Sequence, residues 1–217
     1  MLLAEDLLLL LTDDTTGRKR QSGYLDHALA GAVLIDLMLA GRVRLTEKGE
    51  TAARPNRVVV ESTDPTDDAL LDERLANLAP KSGMRPQRAI EILRKGLQKA
   101  LYARLCEAGV VRHEPGLLGT SRYPAVDTAH ETALRQNLFE VLGRGGEPDD
   151  RLASLIGLLS ALDLAHKVVA EDVSTVDKRA IKKRAKLLRE QNWAAQAAYK
   201  AIQAMQAATV AAASGGA

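Results

Sequence analysis

Hydrophobic residues in this chain come in long runs with helical spacing, separated by short polar segments, and only two stretches alternate as strands do. The densest run, 152–169 (LASLIGLLSALDLAHKVV), sets Leu152, Leu155, Ile156, Leu158, Leu159, Leu162, Leu164, Val168 and Val169 around nearly the whole circumference of a helix. A helix apolar on every side belongs in the interior. A bilayer span needs about 20 apolar residues, and Asp163, His166 and Lys167 interrupt this run too soon. Pro148, Asp149 and Asp150 ahead of it offer capping and favourable charge at a helix start. The pattern predicts one buried central helix with amphipathic segments packed around it.

Along the rest of the chain, 2–11 (LLAEDLLLLL) reads as a short helix docked by its leucines, followed by a polar loop with the basic run Arg18, Lys19, Arg20. A second helix is predicted over 24–40, with Gly41 as its terminator. Gly31 in its middle costs about 1 kcal/mol against Ala, which points to close approach of another backbone. Val43 and Leu45 against Val58 and Val60 alternate as the two arms of a hairpin. Helices are predicted at 64–79, capped by Asp64 or Thr66, at 87–108, with Ile90, Leu93, Leu97, Leu101 and Leu105 on one face, and at 127–142. Between the last two lies a second hairpin, turning at Pro115, Gly116 and Gly119. Ser174 or Thr175 opens a last helix to about Ala208, with Ile181, Leu187, Leu188, Trp193 and Ile202 as anchors. Residues 1–208 are expected to form one domain and 209–217 a disordered tail. Aligning Gly41 with Gly109 lays Val43 on Val111 and Arg44 on Arg112, so a helix feeding a hairpin occurs twice.

Composition sharpens the fold class. Aromatic residues make up only 3% of the 217 positions, so the core must be built from Leu, Val, Ile and Ala, which favours helix packing over a sandwich of strands. The expected class is mainly α, with two short β-hairpins. A formal net charge of +2 points to no particular partner. The single Cys106 excludes an internal disulfide framework and fits a reducing compartment. The apolar start lacks a basic segment and a cleavage site, so no signal peptide is expected and the protein reads as cytoplasmic.

The residues of common catalytic chemistry are present without the arrangement it needs. GRGGEP lacks the Lys-Ser/Thr ending of a phosphate-binding loop. Cys106 lies among leucines on a helix face, and His27, His113, His130 and His166 show no metal-ligand spacing. The acidic pairs Asp13/Asp14, Asp67/Asp68 and Asp149/Asp150 are accounted for by helix ends. The expectation is a non-enzymatic protein with no cofactor.

What remains is surface. Basic residues cluster at 18–20, at Arg85, Arg88, Arg94, Lys95 and Lys99, and at Lys178, Arg179, Lys182, Lys183, Arg184, Lys186 and Arg189. Such clusters serve as solvated faces, or attract anionic lipid or nucleic acid. Leu117 and Leu118 fall at the tip of the second hairpin, where polar residues are the norm. Leucines there fit insertion into a membrane interface, packing on another subunit, or folding back on the core. A winged-helix nucleic-acid binder is the alternative raised by the two helix–hairpin units. The leucine tip and the acidic stretch 64–73 count against it, and no nucleic acid is expected as partner. A purely structural oligomer is the third reading.

Several segments together resemble the Golgi phosphoprotein 3 family: AEDLLLLLTDD near the start, GAVLIDLMLAGRVRL, STDPTDDALLDERL, LYARLCEAGVV with its leucine-tipped hairpin, and DRLASLIGLLSALDLAHKVV. The resemblance spans roughly residues 1–200 and includes bacterial members of the family. It implies a mostly helical domain, peripheral on membranes, that binds phosphatidylinositol 4-phosphate and uses the hairpin, 111–124, for oligomerisation and membrane contact. It also implies head-group binding near Tyr24, Arg94, Lys95 and Gln98, with Leu117 and Leu118 as the inserting or oligomerising tip. The family's Arg position in the second helix is occupied here by Ala30, and its later Arg pair by Lys95 and Gln98. Lys is a point charge without the bidentate fork of Arg, so the chain departs from the family's pattern where the head group is held.

Overall fold

Ten consecutive residues of the second helix, Ala28 to Leu37, are buried, and this rod organises the molecule. The computed structural model describes residues 1–19, 25–47, 49–50, 55–116, 120–170, 177–191, 196, 199–200 and 202–203. Among these are nine α-helices and two two-stranded antiparallel sheets. The rod is α2 (Leu25–Leu39), and α1 (Leu3–Leu10), α3 (Ala69–Leu78), α4 (Pro86–Leu93), α5 (Leu97–Glu107) and α7 (Asp150–Ala161) all pack against it. A short 3-10 turn, Ala79–Lys81, joins α3 to the segment before α4. α6 (Ala129–Arg144), α8 (Ala165–Ala170) and α9 (Lys178–Gln191) complete the described helices. The core is leucine-rich as expected, and Tyr102 is the one aromatic ring fully inside it among the described residues. The fold is mainly α with two short hairpins.

The run 152–169 is buried, but it is not one helix, and it shares the centre with α2. α7 ends at Ala161, Asp163 takes a left-handed φ of 56°, and α8 restarts at Ala165. Asp163 N–H donates to the Ser160 carbonyl and Leu164 N–H to that of Leu159, the paired bonds of a Schellman stop. Asp tolerates the left-handed region better than most side chains, and its carboxylate accepts from Lys182 Nζ at 2.6 Å. A similar break divides the predicted helix 87–108: Gly96, at φ 66°, ends α4 and lets α5 start on a new axis. Pro86, expected in a loop, instead opens α4, where its missing N–H costs nothing.

Smaller expectations also shift. α3 is capped by Asp68, whose carboxylate accepts from Leu70 and Leu71 N–H, rather than by Asp64 or Thr66. Asp149 does cap α7, through Leu152 N–H. At Gly31 the close neighbour is a side chain rather than a backbone, for a Cβ there would stand 2.9 Å from Ile202 Cδ1. Leu187, expected as an anchor, is 39% exposed, while Ile181, Leu188 and Ile202 are buried. Ser174, Thr175, Trp193 and the tail 209–217 lie outside the described residues.

Both hairpins form where alternation places them. β1 (Val43–Leu45) pairs with β2 (Val58–Val60) in the register Val43↔Val60, and β3 (Glu114–Pro115) pairs with β4 (Ser121–Arg122) in the register Pro115↔Ser121. The internal echo is geometric as well as sequential. Gly41 and Arg42 N–H donate to Met38 and Leu37, and Gly109 and Val110 N–H donate to Cys106 and Leu105, so both hairpins leave their helices through the same hydrogen-bonded stop.

α1 is buried along its whole length although it carries Glu5 and Asp6. Each carboxylate is met from another helix or from the chain start. Glu5 accepts from Arg104 Nε at 2.8 Å and from Leu2 N–H, and Asp6 from Arg151 and His130. Asp36 of α2 accepts the Leu3 N–H at 2.9 Å, so one helix supplies the N-terminal cap of another. Burial raises the Asp36 pKa from its ordinary 3.8 to about 7, against the opposing pull of the Leu3 N–H and Arg151.

Two outcomes follow for stability. Ile90→Ala, at a fully buried position, should lower the free energy of unfolding in urea by about 2–5 kcal/mol. Leu187→Ala should change it by less than about 0.5 kcal/mol. The folded state holds the Asp36 proton more tightly than the unfolded chain does. Stability contributed by that proton is therefore full below pH 3.8 and is lost as pH rises through about 7. Unfolding measured across this window should show a decline that Asp36→Asn makes shallower.

Candidate functional site

The loop after α1 forms one wall of the candidate site, and its shape is set by a glycine. Asp13 accepts from the Thr16 N–H and hydroxyl, at 2.8 and 2.7 Å, closing a turn that carries Gly17 at φ 61°. The Tyr123 N–H then donates to the Gly17 carbonyl and the Ala125 N–H to that of Asp14. A Cβ at position 17 would collide with the backbone of Tyr123 and Pro124. Only glycine lets the loop lie this close to the strand leaving the second hairpin.

α5 forms the second wall. Gln98, Lys99 and Tyr102 lie on one side of this helix at i, i+1 and i+4. Gln98 Oε1 accepts from Lys19 Nζ at 3.0 Å, across 79 residues of sequence. Tyr102 stacks on Tyr123 with ring centroids 3.7 Å apart and an interplanar angle of 6°. Its hydroxyl meets Thr12 Oγ1 at 3.0 Å, and since the Thr12 proton goes to the Leu8 carbonyl, Tyr102 is the donor. His113 tilts against Tyr123 and lies 3.0 Å from the Ser121 hydroxyl through Nε2.

These elements enclose a cavity of about 340 Å³ lined by Gly17, Lys19, Gln98, Lys99, Tyr102, Thr120, Ser121 and Tyr123. Two ammonium groups, an amide, two hydroxyls and the edges of two stacked rings face it, and no carboxylate is among the lining residues. Such a surface can hold an anion beside a polyhydroxylated group, the ring edges and hydroxyls supplying the neutral contacts. Burial drives the Tyr102 phenol up to about 12, partly offset by the Thr12 hydroxyl, so the ring stays neutral at physiological pH.

Of the residues expected to hold a head group, Gln98 lines this cavity. Arg94 and Lys95 do not. They occupy the turn between α4 and α5, where Arg94 Nε donates to Glu91 at 2.7 Å and the Lys95 carbonyl accepts from Arg74. The resemblance grouped them with Gln98, and the Gly96 turn lies between them and it. Tyr24, Leu117 and Leu118 lie outside the described residues. Lys99, Tyr102 and Tyr123 were not expected in the site. The interval of Gln98 and Tyr102 is a helical signal, but nothing in the sequence announces that Tyr102 meets Tyr123.

Cys106 is half-buried, and its thiol is held above the ordinary value by burial and by Glu107, the reverse of an activated nucleophile. Among the described residues there is no cluster of three or more metal-ligating side chains, and no helix is long and apolar enough to cross a membrane.

The described residues form a mainly helical body with two helix–hairpin units and a cationic cavity, free of carboxylates, between a loop and a helix. The family model of Golgi phosphoprotein 3 (GPP34) matches residues 3–205, nearly the whole chain, and the protein belongs to that family. The family is non-enzymatic. Its fold and membership are those of a peripheral, lipid-associated protein. No curated protein matches the chain.

The stack gives a direct check of the site's construction. An ultraviolet titration of the tyrosines should contain a late phase near pH 12 that Tyr102→Phe removes.

Proposed function

We propose that this protein binds anionic lipid at a cytoplasmic membrane surface, taking the head group into the cavity between Lys19 and Lys99. The observation that carries the reading is the cavity itself, where Lys19, Gln98 and Lys99 converge without a carboxylate on a chain of the Golgi phosphoprotein 3 family. Phosphatidylinositol 4-phosphate suits it in kind: the ammonium groups face phosphate, and the hydroxyls of Thr120 and Ser121 face the ring. Arg94 and Lys95, exposed in the adjoining turn, add long-range attraction to the surface rather than contact with the head group. Tyr24 is proposed as a rim residue. Leu117 and Leu118 at the hairpin tip are proposed to enter the interface or to join two copies through 111–124. Residues 1–208 act as one domain in this reading.

Recognition by two lysines and an amide is charge-led and sensitive to salt. Sedimentation with phosphatidylcholine vesicles carrying phosphatidylinositol 4-phosphate should therefore show binding that weakens as salt rises. Lys19→Ala and Lys99→Ala should each reduce affinity about fivefold, the equivalent of about 1 kcal/mol per lysine. Lys95→Ala should cost less, and Leu117→Asp should weaken binding without altering the preference for charged vesicles. Equal sedimentation with neutral and charged vesicles would reject the reading. Binding to duplex DNA stronger than to vesicles would favour the winged-helix alternative.

A further inference from the structure

A second basic cleft lies where the turn between α7 and α8 faces α9, and it shares no residue with the cavity described above. Its volume is about 200 Å³, and Ser160, Asp163, His166, Lys182, Lys186 and Arg189 line it. That is below the roughly 300–1,000 Å³ of sites that take drug-sized ligands, so a small ligand is implied.

His166 is the residue that calls for one. It is only 7% exposed, and among the described residues its Nδ1 has no hydrogen-bond partner. Asp163 Oδ1 stands 3.9 Å away, too far to bond, and is already held by Lys182 at 2.6 Å. A buried polar atom left this way costs about as much as a lost hydrogen bond. Around it the charge is cationic. Lys178 and Lys182 of α9 and Lys167 of its own helix act on the ring electrostatically, and Lys186 and Arg189 line the cleft beside it. From α6, the Glu131–Arg135 pair meets α8 at the Val168 carbonyl. Arg189 is steadied by lying over the Tyr199 ring at 3.9 Å. Among the described residues, the acid paired with Lys186 and Arg189 is Glu190, at 4.0 and 3.7 Å, and it does not line the cleft.

We propose that this cleft binds a phosphate dianion, free or as a small monoester, with His166, Lys186 and Arg189 as donors and Ser160 as a neutral partner. A tetrahedral dianion accepts from several directions at once, which suits donors that converge from a turn and a helix. It also carries the charge to compete with Asp163 for Lys182. Burial first, and then Lys178 and Lys182, hold the His166 pKa below the ordinary value. A bound dianion reverses that balance, so binding and protonation of His166 support each other.

The test is a side-chain NMR titration of the four histidines in the full chain with inorganic phosphate, chloride being exchanged to hold ionic strength constant. His166, identified by His166→Gln, should shift saturably and titrate at higher pH when phosphate is present, while His27 and His130 stay put. Lys186→Ala, at a largely exposed side chain, should fold normally and weaken the response about tenfold. A parallel arm uses phosphatidylcholine vesicles carrying phosphatidic acid. If the phosphate is lipid-borne, these shift His166 and free phosphate competes; if it is soluble, vesicles leave His166 unmoved. Lys99→Ala, which should impair vesicle docking at the first cavity, must leave the response to free phosphate intact. No saturable shift in either arm, the same shift from chloride alone, or an unchanged response in Lys186→Ala would overturn the proposal.

Discussion

Two carboxylates inside an otherwise apolar helix set the terms for the rest of this structure. Glu5 and Asp6 are 3% and 2% exposed, and a buried charge without a partner costs several kcal/mol. The leucines of α1 can be buried only if polar or charged partners are brought to these two positions. Arg104 comes from α5, His130 from α6 and Arg151 from α7. Arg104 also holds Asp68, the cap of α3, through two bonds at 2.7 and 3.0 Å. One short helix thereby fixes the positions of four others, while Asp36 of α2 completes its N-terminus. Dispersion and burial of leucine supply the bulk of the attraction, but they are non-directional. The ion pairs select which helices meet α1.

The same pairing positions the binding cavity. Arg104 clamps α5 near its C-terminal end, and the opposite half of that helix presents Gln98, Lys99 and Tyr102. The loop that follows α1 returns over them, held by the Tyr102–Thr12 hydrogen bond and the contact of Gly17 with the strand after β4. The cavity is thus walled by segments whose own placement was fixed by burying α1. No carboxylate lines the cavity: of the acids nearby in sequence, Asp13 accepts from the Thr16 N–H and hydroxyl, and the Asp14 side chain meets Glu131 of α6.

Helices and hairpins were legible because burial imposes a period on sequence: Ile90, Leu93, Leu97, Leu101 and Leu105 step by three and four, and Val43, Leu45, Val58 and Val60 alternate. The breaks at Gly96 and Asp163 were not, because apolar spacing continues through them. A left-handed residue redirects a chain without altering its hydrophobic period. The helix at α2 was legible, but its central place was not, because the partners of its buried Asp36, the Leu3 N–H and Arg151, come from other elements. Of the residues lining the candidate cavity, the family resemblance marked Gln98. Lys19 was visible as part of a basic loop, but its meeting with Gln98 is purely tertiary. The stack of Tyr102 on Tyr123 joins two elements that carry no local signal for each other.

In the proposed reading, the lysines of the cavity supply electrostatic attraction without the bidentate fork of arginine. The surface that meets the membrane should then be the face bearing the loop at 12–19 and the hairpin, with the α9 face turned elsewhere. Hydrogen–deuterium exchange on the full chain, with and without vesicles containing phosphatidylinositol 4-phosphate, tests this directly. The account predicts added protection at the amides of 15–19 and 120–123. Protection confined to 178–191, or none anywhere at saturating vesicles, would contradict it.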